Sequence, residues 1–196
     1  MNTTDVLAKL SPSITKMIRM DHTHVMATFH RFHAESSPAK KQAIVKAVCL
    51  ALEIHAQLEE EIFYPALRDV DGSNQVLAKA KPEHDEMKRL IAELREMEAE
   101  DAGYDDKFLE LMRDVIHHVA DEESVLLPAA ERLLADRLSE LGAQMTKRRL
   151  QLATPHAGEM AAATARAMPA GTMLVAGGLI AGAYLLSRGL ESRRHH

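Results

Sequence analysis

The sequence predicts an all-α protein: an antiparallel up-down four-helix bundle with an additional C-terminal helix and an apolar tail. Three observations carry the prediction. Ala, Leu, Met, Glu and Lys are plentiful while Gly and Pro are sparse before residue 150, which is a helical composition. Apolar residues recur at helical spacing in four long stretches joined by short polar ones. The 196 residues, 46% of them hydrophobic, suffice for one domain with a real core plus an appendage and leave little room for a second.

Helix 1 starts at Ser11-Pro12-Ser13 and carries Ile14, Ile18, His22, Val25, Phe29 and Phe32 on one side, to about residue 34. Ser37 is the N-cap of helix 2 and Pro38 its first residue, and the helix runs to about Arg68 through Ile44, Val48, Leu52, His55, Glu59 and Ile62. The loop "DVDGSN" at 69–74 and a short helical turn lead to Pro82, where helix 3 begins; it carries Leu90, Ile91 and Leu94 up to "EDAGYDD" at 100–106. Helix 4 spans roughly 105–135 with Phe108, Met112, Val115, Val119 and Leu126, and Pro128 is expected to bend or interrupt it. A last helix covers 136–152 and ends in a basic turn. The domain division expected is a bundle at 1–152, an Ala-rich linker at 153–169, an apolar segment at 170–187 and a basic tail at 188–196.

The apolar segment has no charge over 18 residues and contains Gly178-x3-Gly182, a close-packing spacing between membrane helices. Its length is at the short limit for a hydrocarbon core of about 30 Å. Membrane association through 170–187 is the reading adopted, against docking of the tail on the bundle or on another subunit. The N-terminus lacks a basic region followed by an apolar core, and Cys49 stands alone, so no secretory signal or disulfide framework is read and the main domain is placed in the cytoplasm. A net charge of −5 and the lack of a long basic run argue against nucleic acid as a partner.

The stretch "HAQLEEEIFYP" at 55–65 raises the functional question, because acidic residues on the core side of a helix are costly without compensation. His55 and Glu59, four apart, lie about 40° apart around the helix and converge on one point. By itself H-x3-E is more often an ordinary hydrogen bond. Here it recurs: residues 118–128 read "HVADEESVLLP", so both stretches obey H-x3-E-E-x4-P, and "DHTHV" at 21–25 is echoed by "EHDEM" at 83–87. Helices 1 and 2 therefore repeat as helices 3 and 4. In an antiparallel bundle His22, His55, Glu59, His84, His118 and Glu122 would meet at similar depth. Bound cations resolve that conflict, and imidazole with carboxylate suits iron, manganese or zinc.

With these motifs the chain resembles the hemerythrin-like HHE cation-binding domains over roughly residues 10–150. The resemblance implies a four-helix bundle around a non-haem di-iron centre, with two iron ions bridged by two carboxylates and an oxygen species. It implies His22, His55, His84 and His118 as terminal ligands and Glu59 and Glu122 as bridges. One position departs: oxygen-carrying hemerythrins have H-x3-H on the third helix, whereas Lys88 follows His84 here. Additional ligands or supporting groups would come from His24, His33, Glu60 or Glu123. His24 is read as facing outward, His117 as either backing a ligand or exposed, His30 and His33 as surface or capping residues, Glu60, Glu61 and Glu123 as mainly solvated, and Cys49 as packing. The function expected is binding of dioxygen, peroxide or a related small oxidant for sensing, storage or detoxification, or the handling of iron. The alternatives are a peroxide-decomposing or ferroxidase-type di-iron enzyme and a membrane-associated structural or regulatory bundle with a structural metal.

Overall fold

A computed structural model describes residues 11–156 and Gly158, which form five helical rods with no strand among the described residues. Helix α1 (Ile14–Phe29) is capped by the Ser13 side chain, which accepts from the Lys16 amide. The second rod is continuous: α2 (Pro38–Leu58) passes through a π-helical turn at Glu59–Phe63 into α3 (Tyr64–Arg68). The third is α4 (Gln75–Arg95). The fourth repeats the second, with α5 (Tyr104–Asp121), a π-helical turn at Glu122–Leu126 and α6 (Leu127–Leu133). The fifth, α7 (Leu138–Ala153), is followed by a 3-10 turn at Thr154–His156.

Cross-rod pairs fix the direction of each rod. Arg19 meets Glu131 while His22 meets Glu123, Glu53 meets Arg95 while Glu60 meets Lys88, and Glu83 meets His118 while Glu93 meets Lys107. In each case the numbers run in opposite senses, so the first four rods form an antiparallel bundle. The fifth runs parallel to α1: Gly142 abuts residues 12–14, Thr146 bonds the Met17 sulfur and Arg149 grips Asp21.

The apolar core is in two parts. One gathers Ile18, Leu58, Phe63, Leu67, Leu126, Leu127 and Met145; the other gathers Val25, Leu52, Leu90, Phe108, Leu111 and Val115. His22, His55, His84 and His118 fall between the two parts on their rods, so a polar layer divides the core.

Several boundaries differ from the sequence reading. Helix 1 ends at Phe29 rather than near 34, because the chain turns there and sets Phe32 against Phe108, ring centroids 4.7 Å apart. Helix 3 starts at Gln75 rather than at Pro82, since Asn74 Oδ1 accepts from the Val76 and Leu77 amides and starts the helix earlier. Pro82 lies inside on the exposed side, and burial of Leu77, Ala80 and His84 opposite outweighs the backbone bond it removes. Pro128 does not interrupt the fourth rod: it follows a π turn, as Pro65 does. No helix among the described residues is long and apolar enough to cross a membrane, and segments 159–169, 170–187 and 188–196 lie outside them.

Gly142 brings α7 onto the start of α1. A Cβ there would stand 2.1 Å from the Pro12 carbonyl oxygen, so Gly142→Ala is expected to lower stability by about 1–3 kcal/mol in urea unfolding. An unchanged midpoint would show that α7 does not press on the α1 start.

Candidate metal centre

The six residues singled out by the repeated motif are all brought together and buried, with Glu59 0% and Glu122 1% exposed. Their mutual geometry is close. His55 Nε2 lies 3.2 Å from Glu59 Oε2, His22 Nε2 3.2 Å from Glu122 Oε2, His84 Nε2 3.4 Å from Glu59 Oε2 and His118 Nε2 3.7 Å from Glu122 Oε2. Two ligand groups result. His22, His55, Glu59 and Glu122 form one, and Glu59, His84 and His118 the other, each with its donor atoms within 4.8 Å of one another. Glu59 belongs to both.

Four donor atoms show that this donor set fits a cation. His22 Nε2, His55 Nε2, Glu59 Oε1 and Glu122 Oε2 are buried and have no hydrogen bond, even where a carboxylate oxygen lies 3.2 Å away, because none is aligned to share a proton. Leaving several such atoms unsatisfied costs about 1–3 kcal/mol each, comparable in sum with the 5–15 kcal/mol by which a domain is stable. A bound dication would satisfy them all at once.

The outward nitrogen of every imidazole is held by a carboxylate. His22 Nδ1 is 2.9 Å from Glu123, His84 Nδ1 3.0 Å from Glu60, His118 Nδ1 2.8 Å from Glu83 and His55 Nδ1 3.4 Å from Asp21. The repeat sets this pattern too. The second glutamate of each H-x3-E-E motif holds the single histidine of the other hairpin, and the acid before each single histidine holds the motif histidine of its own hairpin. Such bonds fix the ring and leave Nε2 facing inward as an acceptor. Glu60 and Glu123, read as mainly solvated, thus bind imidazoles and also pair with Lys88 and Arg19 respectively. Glu61 is bound by Arg148 on the surface. His24, His33 and His117 are exposed and away from the inward donors.

Sequence reading missed Tyr64. Its hydroxyl donates to Glu122 Oε1 at 2.9 Å, with Glu59 Oε2 3.2 Å away, and it stands 3.2 and 3.4 Å from the Nε2 atoms of His84 and His118. In an ordinary helix Tyr64 would point about 140° away from Glu59, five residues before it. The π turn, in which the Tyr64 amide bonds the Glu59 carbonyl, brings the two to the same side. The signal lay in the repeat: "IFYP" opposite "VLLP" puts a tyrosine where the second half has Leu127. A buried phenol in an apolar context demands a polar partner.

Burial and neighbouring charge set the ionisation of the layer. Burial, then the facing Glu122 charge, pushes the Glu59 carboxyl well above its ordinary range. Burial also opposes ionisation of Glu122, but the imidazoles of His22, His118 and His55 close around it outweigh that and hold it low. Burial, then His118, pushes His84 down to about 2, and burial lowers His55. Asp21 is pushed up by burial but brought down to about 2 by its bonds to His55 and Arg149. A cavity of about 20 Å³, enough for one small molecule, adjoins the imidazoles and is walled by Val25, Leu52, Met87, Ile91, Val115 and Val119.

A bundle whose rods each turn histidine or glutamate donors into one buried layer defines a metal-binding helical protein. The sequence model of the hemerythrin HHE cation binding domain matches residues 13–130, and the chain belongs to that family, which binds metal cations. A DNA nickase of Nostoc sp. (strain PCC 7120) is 30% identical over 132 residues, which is 67% of this chain and 37% of that protein, so the chain spans little more than a third of this relative. The crystal structure of a hemerythrin HHE cation-binding domain-containing protein of Mycobacterium kansasii has the same fold, with a TM-score of 0.64, 20% identity and coverage of 80% of this chain and 99% of that one.

The raised Glu59 carboxyl predicts a stability effect in metal-free protein. Stability from its neutral form is fully present below 4.5, its ordinary value, and is lost as pH rises through the higher folded value. Glu59→Gln keeps a neutral side chain. It is expected to gain on the wild type by about 1.4 kcal/mol for each pH unit from 4.5 up to that folded value, and no more above it, read from unfolding midpoints in excess chelator.

Proposed function

We propose that the chain is a di-iron protein that binds dioxygen, peroxide or a related small oxidant and so senses, stores or detoxifies it or handles iron. The observation that carries the reading is the pair of buried ligand groups sharing Glu59. Nitrogen and carboxylate oxygen donors in this proportion suit iron over softer metals, with manganese or zinc as the alternatives. His22, His55, Glu59 and Glu122 would hold one ion and Glu59, His84 and His118 the other. Iron bound there would supply one-electron redox steps and a position open to a small ligand.

The protein's own groups do the rest. Asp21, Glu60, Glu83 and Glu123 hold the four rings so that Nε2 stays directed inward. The adjoining cavity, about 20 Å³ between mainly apolar side chains with Asp21, Glu53 and Lys88 also on its lining, fits a molecule about the size of water. Tyr64 offers a phenolic proton in the layer, placed between both glutamates. Lys88, where oxygen carriers have a fifth histidine, points instead to Glu60 at 2.6 Å. A ligand position without its imidazole and a phenol beside it favour oxidant or iron processing over reversible carriage. The nicking activity in the relative's name belongs to a protein of which this chain matches 37%, and a net charge of −5 gives no basic stripe for a phosphate backbone, so the reading does not include it.

Two measurements test the proposal. Metal analysis of the purified chain is expected to give about two irons, falling toward one in His118→Ala and toward none in Glu59→Ala, because only Glu59 serves both groups. A fully folded wild type that takes up no iron would sink it. Tyr64→Phe is expected to keep both irons while changing the visible iron(III) absorption and slowing peroxide consumption by about 10²-fold or more, the effect of losing a placed proton donor. Unaltered spectrum and rate would remove Tyr64 from the chemistry.

A further inference from the structure

We infer that Arg149, on the fifth rod, is a positioning residue for the first of the two metal positions: it locks Asp21, and through Asp21 the His55 ring. The inference rests on the di-iron reading above but concerns a residue beyond the 13–130 match to the family. Arg149 Nη1 bonds Asp21 Oδ1 at 2.5 Å and Nη2 bonds Oδ2, a two-pronged grip on a carboxylate that is only 16% exposed. Asp21 Oδ2 in turn faces His55 Nδ1. The other end of that ring, Nε2, is one of the buried donor atoms without a hydrogen bond.

The repeat makes the point sharper by comparison. In the second half Glu83 occupies the place of Asp21 and holds His118, yet no cation is recorded against Glu83 among the described residues, and it is 36% exposed. Four helices and their repeat would give two equivalent halves. The fifth helix removes the equivalence, because it packs on the two rods of the first half, along α1 and against α2 with its π turn. Its seat there is independently fixed by Gly142 against residues 12–14 and by Thr146 on Met17. The neighbouring Arg148 points elsewhere, to Glu61, and touches no group that holds an imidazole. Arg149 therefore acts on the metal layer through a single carboxylate, whereas Arg148 only fastens the same helix.

The test compares iron release from the loaded full-length chain to an excess of a chromogenic iron(II) chelator after reduction. For Arg149→Met, one of the two irons is expected to leave about 10–100-fold faster than in the wild type while the other keeps its rate. Asp21→Asn should do the same, and the double variant should be no worse than either single one, as expected if Arg149 works through Asp21. Arg149→Lys should recover part of the loss. Arg148→Met, which also weakens the hold on the helix, should release both irons at the wild-type rate, and far-ultraviolet circular dichroism checks that each variant is folded. Wild-type release from folded Arg149→Met, or equal acceleration in Arg148→Met, would overturn the inference while leaving the di-iron reading intact. A wild type that binds no iron overturns both.

Discussion

The bundle depends on one constraint: four imidazoles and two carboxylic groups must be satisfied in a layer that cuts its apolar core in two. Their inward atoms face one another rather than water, and the outward ones are bound by acids at the edge of the layer. Ionising both Glu59 and Glu122 there would cost several kcal/mol per charge. The metal-free layer opposes this by disfavouring ionisation of Glu59 and favouring that of Glu122 among imidazoles. The two apolar halves of the core on either side then supply the folding free energy that the layer does not. Binding of a cation would displace the proton that Glu59 holds.

The second constraint is geometric. The donors of a helix repeat every 3.6 residues, and two motif residues four apart are all that an unbroken rod delivers to one point. The π turns add more: beginning at Glu59 and Glu122, they swing the side chain five residues on, Tyr64 or Leu127, to the side on which the glutamate lies. Proline fits at the far end of each turn because it has no amide to lose where the ladder shifts register. The x4-P of the repeated motif is thus part of the site rather than punctuation.

Much of this was legible in the residues because it is periodic. Repeated H-x3-E-E-x4-P, two echoing acid-His pairs and four apolar stripes contain the bundle, its order and the six inward residues. What was missed depends on departures from a regular helix or on pairing across rods. Tyr64 was hidden by assuming 100° per residue through the π turn. Glu60 and Glu123 point away from the inward side of their own helices, so a one-helix reading called them solvated, though they face imidazoles of the other hairpin. Pro82 was read as a helix start because its cost is local, while the Asn74 cap and the buried Leu77, Ala80 and His84 that offset it are spread over ten residues.

The asymmetry between the halves is where this chain differs from a duplicated hairpin. Tyr64 corresponds to Leu127, Asp21 has Arg149 where Glu83 has no cation among the described residues, and Lys88, paired with Glu60, corresponds to Met26. Two identical halves would hold two metals alike, and neither would be preferred for an incoming ligand. Here one ligand group has four donors and, behind His55, a carboxylate clamped by the fifth helix; the other has three, and the Tyr64 phenol stands between the two. Tight retention and open coordination are opposing demands on a single metal ion, since every added donor closes a position. Under the di-iron reading proposed above, dividing them between two ions that share Glu59 would let one stay anchored while the other exchanged ligands, and the differences between the two halves at these few positions are sufficient for that division.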